Sequence, residues 1–161
     1  MILKIIQGLY GLMLVLFTAV ASKYFTGSGL LNFYTLLELP EITPKNNYFT
    51  IIWRGLYVLL FLSFYIVLLS KKTIEQFDDA NALFISLLFL QILWCFSFFF
   101  MEQLVASAIV LLLLILVAIL VCHSFFVINK WAGALLIPYM AWVIFALLLN
   151  VSIAYQNFEM F

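Results

Sequence analysis

Leu104-Val-Ala-Ser-Ala-Ile-Val-Leu-Leu-Leu-Leu-Ile-Leu-Val-Ala-Ile-Leu-Val-Cys122-His123-Ser-Phe-Phe-Val127 contains no Asp, Glu, Lys or Arg. A bilayer core is crossed by about 20 apolar residues in a helix that satisfies its own backbone hydrogen bonds, so this stretch alone is a membrane span. Four further apolar runs surround it, at about residues 5–22, 49–70, 81–100 and 132–153. Over 161 residues the chain is 68% hydrophobic and 9% charged. A soluble domain of that size exposes too much surface to hide so many apolar side chains, and a bilayer removes the conflict. The expected fold class is therefore all-α membrane protein, a five-transmembrane-helix bundle forming a single domain over 1–161, with a long loop at 23–48.

The charges sit in the breaks. Lys23 to Asn47 is the longest, punctuated by Gly27, Gly29, Pro40 and Pro44. Lys71-Lys72-Thr-Ile-Glu75-Gln-Phe-Asp78-Asp79 is a polar turn between the second and third helices. Met101-Glu102-Gln103 and Asn129-Lys130 are so short that the third, fourth and fifth helices must be antiparallel neighbours. The first run follows Lys4 and ends Ala-Val-Ala-Ser22, which imitates a signal peptide. Its apolar run is long for one, and Gly8 with Gly11 offers a small face for helix packing, so a retained helix is expected. Five spans place the chain ends on opposite sides. Lys4, Lys71, Lys72 and Lys130 on one side against Lys23, Lys45 and Arg54 on the other do not orient it.

Formal net charge is zero, which carries no nucleic-acid footprint. Cys95 and Cys122 fall inside apolar runs and read as small packing residues, not as a disulfide or a metal site. His123 is the single histidine; a haem-ligand role lacks a second donor, because the adjacent Cys122 faces elsewhere on a helix. A structural or headgroup-facing imidazole is the expectation, with no metal and no cofactor. No Ser/His/Asp set, paired intramembrane carboxylate or Gly-rich phosphate loop is visible, so ordinary acid–base or nucleophilic catalysis has no machinery. Glu102, Lys130 and the Asp78–Asp79 pair read as solvated loop charges.

Three stripes stand out. Phe49, Trp53, Tyr57 and Leu60 share a face of the second helix, and Gln91, Trp94 and Phe98 share one of the third. Pro138, Trp142, Ala146 and Asn150 form a third on the fifth helix, flanked by Tyr139 and Phe145. Tryptophans often mark membrane interfaces, and Gln or Asn often bond across a helix contact. Alternatively, the three stripes line one apolar cavity with a few polar anchors. Flat aromatic walls favour a flat apolar ligand.

The segment Trp131-Ala-Gly-Ala-Leu-Leu-Ile-Pro138-Tyr139-Met-Ala-Trp142-Val-Ile-Phe145-Ala146-Leu-Leu-Leu149-Asn150 resembles the last helix of the TspO/MBR family, the tryptophan-rich sensory proteins and mitochondrial translocator proteins. Gln91-Ile-Leu-Trp94-Cys-Phe-Ser-Phe98-Phe99 resembles its third-helix segment. Phe33-Tyr34, Pro40, Pro44, Phe49, Trp53, Leu56 and Tyr57 follow its loop and second-helix spacing. The resemblance spans about residues 30–157. It implies five helices around a pocket closed by the first long loop, usually in a homodimer. It also implies binding of porphyrins such as protoporphyrin IX and, in some members, of sterols or benzodiazepine-type compounds. Some bacterial members degrade porphyrin in light through pocket tryptophans, at positions matching Trp53 and Trp142. Trp94, Ala146 and Leu149 match further pocket-lining positions.

Departures are definite. The first loop has no tryptophan, Phe33 standing in the Trp-Tyr pair; Lys45 follows Pro44 in place of a second proline, and Thr50 follows Phe49. Gln91 replaces an Asn and Phe100 a Gly. The sterol motif's Tyr and basic residue fall on Val151-Ser152 and Tyr155, with no Lys or Arg after Lys130. The functional expectation is an integral membrane protein that binds tetrapyrroles as sensor, scavenger or carrier. The expected ligand-binding set is Phe49, Trp53, Tyr57, Gln91, Trp94, Phe98, Tyr139, Trp142, Ala146, Leu149 and Asn150. The alternatives are a light-dependent porphyrin-degrading enzyme using Trp53 and Trp142, and a small-molecule or sterol transporter. Charged residues stay near the helix ends, Arg54 lying deepest, which argues against ion-coupled transport.

Overall fold

The structure, a computed structural model, describes residues 2–44 and 46–158, apart from the side chains of residues 28, 46 and 47. Lys45, counted above among the basic residues and beside Pro44, lies outside the described residues. Five long helices follow one another: α1 (Ile2–Leu31), α2 (Asn46–Leu69), α3 (Ile74–Cys95), α4 (Leu104–Ile128) and α5 (Lys130–Gln156). A π-helical turn, Phe96–Phe100, prolongs α3, and a 3-10 turn, Tyr34–Leu36, interrupts the loop before α2. All five are long and apolar enough to cross a bilayer. The chain is an integral multi-pass membrane protein.

Two element ends differ from expectation, each for a local reason. α1 was expected to stop at residue 22 and runs to Leu31, so the long loop begins only at residue 32. Gly27 and Gly29 look like breakers in sequence, yet a Cβ on Gly29 would lie 2.2 Å from the Phe99 carbonyl oxygen. The glycine lets α1 press onto the π turn, where Phe25 meets Phe96 and Phe100 edge-on at 5.2 and 5.8 Å. That packing outweighs the roughly 1 kcal/mol propensity cost of a helical glycine. α3 starts at Ile74, not near 81, because Thr73 and Gln76 form a reciprocal capping box, with bonds of 3.1 and 3.0 Å. Asp78 and Asp79 therefore sit in the opening turns of a helix, where the macrodipole favours acids, and not in a loop.

The helices close a ring in the order α1–α2–α5–α4–α3. Gly8 and Gly11 turn to α2, where added Cβ atoms would meet the Tyr65 and Phe64 rings at 3.2 and 3.3 Å. The half of the ring nearest the N-terminus is solid. Phe64 stacks on Phe84 at 4.2 Å and both meet Phe125, all fully buried. Ser63 donates to the Ala132 carbonyl at 2.7 Å, tying α2 to α5. Pro138 lies inside α5 with its ring exposed. The inward line of α5 runs Leu136, Tyr139, Val143, Ala146, Asn150, so the expected stripe is rotated and Pro138 leaves it. A spanning helix tolerates such a proline where neighbours compensate the lost bond.

Candidate functional site

At the other end of the ring the interior is aromatic. α2 carries Phe49, Trp53 and Tyr57 at helical spacing, and successive rings lie 6.1 and 6.0 Å apart. Trp53 stacks on Trp94 of α3 at 5.8 Å and meets Trp142 of α5 edge-on at 6.4 Å. Phe49 closes the group on Trp142 at 6.0 Å. Three indoles from three helices thus form one contiguous cluster.

The π turn shapes the α3 wall. Its wider spiral turns both Phe98 and Phe99 inward, while Phe100 faces out. Ser97 holds the turn by donating its hydroxyl to the Leu93 carbonyl, and its own carbonyl accepts from Gln103 N at 2.9 Å. Trp94 then packs on Phe98 and Phe99 at 6.2 and 6.1 Å.

A cavity of about 40 Å³ lies among these rings, lined by Phe49, Trp94, Phe98, Ala146, Leu149 and Asn150 of the expected set. Leu30, Tyr34, Pro44, Phe99 and Ile153 complete it. Such a space is an order of magnitude below the roughly 300 Å³ of a small ligand pocket. The loop before α2 fills the rest. Phe33 rests on Phe98 at 6.1 Å, and Tyr34 on Phe98 and Phe99 at 6.4 and 6.1 Å. Burial raises the Tyr34 phenol above its ordinary pKa, so it stays a neutral donor. Asn157 anchors this loop: its amide oxygen accepts from Glu38 N at 2.9 Å and its amide N–H donates to the Glu38 carbonyl at 3.0 Å.

The polar residues divide into two kinds. Tyr139 donates to Gln91 at 3.0 Å, both buried, one turn nearer the solid half. Asn150 donates to Ser107 at 3.0 Å, joining α5 to α4. These amides are satisfied within the protein. The indole N–H groups of Trp53, Trp94 and Trp142 have no acceptor among the described residues, although all three atoms are buried. An unsatisfied buried donor costs about 1–3 kcal/mol. Here three belong to rings in one contact cluster, of which Trp94 lines the cavity.

Trp53, Tyr57, Gln91, Tyr139 and Trp142 of the expected set do not line the cavity; Trp53 packs on the lining Trp94, on Trp142 and on Tyr57. Sequence reasoning missed Leu30, Phe99 and Ile153 as lining residues. Tyr34 and Pro44 carried a signal in their loop spacing, and Phe99 one in the Phe-Phe pair; Leu30 and Ile153 carried none. His123 is exposed on α4. No cluster of three His, Cys, Asp or Glu side chains suited to a metal occurs among the described residues.

The family model described as "TspO/MBR family" matches residues 11–156. A "Tryptophan-rich protein TspO" of Archaeoglobus fulgidus is 29% identical over 156 residues, covering 97% of this chain and 98% of its own. A protein of the same name from Chlorobaculum tepidum is 30% identical over 125 residues, 78% of this chain and 79% of its own. A "Tryptophan-rich sensory protein" of Cereibacter sphaeroides is 28% identical over 126 residues, 78% and 77%.

Proposed function

The chain belongs to the TspO/MBR family, and we propose that it binds flat tetrapyrroles of the protoporphyrin IX kind at the three-indole cluster, as a sensor, scavenger or carrier. The observation that carries this reading is the set of three buried indole donors without acceptors among the described residues, set in aromatic walls. A porphyrin offers a flat face for the rings and carboxylate oxygens for N–H donors. Binding requires Phe33 and Tyr34 to swing off Phe98 and Phe99, since the cavity is far too small as it stands.

Titration of the purified protein with protoporphyrin IX tests this, with tryptophan quenching as the readout. Substituting Trp53→Phe or Trp142→Phe keeps an aromatic ring, though a smaller one, and removes the donor; each is expected to weaken binding about tenfold, the equivalent of 1.4 kcal/mol. Weak binding that both substitutions leave unchanged rejects the site. A second reading shares the cluster: Trp53 and Trp142, in edge contact at 6.4 Å, act as oxidisable indoles in light-driven, oxygen-consuming breakdown of the bound porphyrin. Equal bleaching by the native protein and by a variant lacking both indoles removes it.

A further inference from the structure

We propose that an open groove between α3 and α4, at the end of the bundle opposite the indole cluster, binds a glycerophospholipid whose zwitterionic headgroup carries a primary amine. The groove encloses about 560 Å³ and is lined by Gln76, Asp79, His123 and Ser124 together with apolar residues such as Leu83 and Leu120. Asp79 and His123 are both exposed.

Depth sets the geometry. The continuous span Ile74–Phe100 has 27 residues, about 40 Å of helix against a hydrocarbon core of about 30 Å. Its first turns therefore stand among headgroups, and Asp79 lies near the boundary, with His123 near the end of α4 beside it. Leu83 and Leu120 lie further towards the midplane. A polar mouth above an apolar trough has the form of an amphiphile. The trough faces acyl chains in any bilayer, so the mouth decides which headgroup stays.

The mouth holds one carboxylate, that of Asp79. Lys72 turns its ammonium to the carbonyls of Val67, Leu68 and Ser70 at 2.6, 3.0 and 3.1 Å, so it makes no bond to Asp79. A headgroup ammonium is drawn to Asp79, and a phosphatidylglycerol headgroup has none to offer. A primary ammonium donates N–H bonds that a choline lacks. The lipid phosphate accepts from the Gln76 amide, the His123 imidazole or the Ser124 hydroxyl. A second copy of the chain fits less well, because a two-fold contact on this face sets like acids against each other.

Native mass spectrometry of the full chain tests the proposal, after titration with phosphatidylethanolamine, phosphatidylcholine and phosphatidylglycerol of identical acyl chains. One ethanolamine lipid should be retained about fivefold more strongly than either competitor, the scale of a single exposed ion pair. Asp79→Asn should equalise ethanolamine and choline, and Leu120→Trp, which fills the trough, should release both. Thermal unfolding shows whether each variant is folded. Spin-labelled ethanolamine and choline lipids in vesicles repeat the comparison on the native chain. Equal retention of the two by the native protein, a preference that survives in Asp79→Asn, or a dimer that excludes lipid overturns the proposal.

Discussion

Asn157 grips the loop ahead of α2 with both ends of one amide, and a third bond ties the same nitrogen to the Ile153 carbonyl at 2.8 Å. The residue is 1% exposed, so a smaller side chain leaves the Glu38 backbone groups unpaired. Asn157→Ala is expected to loosen this loop while the five helices stay intact. Hydrogen exchange at residues 36–40 should accelerate about tenfold or more, following a loss of about 1–2 kcal/mol of local stability. Ligand association should become faster at the same time. Unchanged exchange in the loop would show that the Phe33 and Tyr34 rings hold it alone. At this scale the sequence is readable where spacing repeats: Trp53, Trp94 and Trp142 recur with helical partners and meet as expected. Asn157 offers no such signal, because its partner is a backbone 119 residues away.

Glycines show what an element keeps hidden. Gly27 and Gly29 are indistinguishable as letters, and both read as punctuation in the loop after the first helix, yet both lie inside α1. Nothing lies within 4 Å of a Cβ added to Gly27, whereas one added to Gly29 meets the Phe99 backbone at 2.2 Å. Gly29→Ala should therefore push α1 off the π turn and destabilise the protein by about 1–3 kcal/mol, the cost of an overpacked contact. Gly27→Ala should be neutral or stabilise by up to about 1 kcal/mol through helix propensity. Thermal unfolding in one detergent compares the two, and equal shifts would refute the close approach. The start of α3 was hidden for a related reason. Its first turns are polar, and hydropathy registers the apolar run and not the Thr73 cap that starts the helix.

At the scale of the molecule, the ring divides its labour between a solid half and an aromatic half. Phe84, Phe64 and Phe125 fill the first with no exposed surface, while the second keeps unpaired donors and a small void. Composition foretells the spans, because apolar length alone decides what crosses a bilayer, but it says nothing of this division, which depends on the order in which helices meet. The division predicts a crossed pair of effects. Phe84→Ala should lower unfolding free energy by about 2–3 kcal/mol, mostly as lost packing, since lipid is as apolar as the core. It should leave the protoporphyrin Kd within about twofold, because sites this far apart without shared partners act additively. Trp142→Phe should do the reverse: its half-buried ring has an unsatisfied N–H to lose, so stability should change by less than about 1 kcal/mol while affinity falls. Unfolding and tryptophan quenching on the same two variants measure both quantities. If Phe84→Ala weakens the ligand as much as Trp142→Phe does, the two halves are one cooperative unit, and the aromatic end is not a separable site.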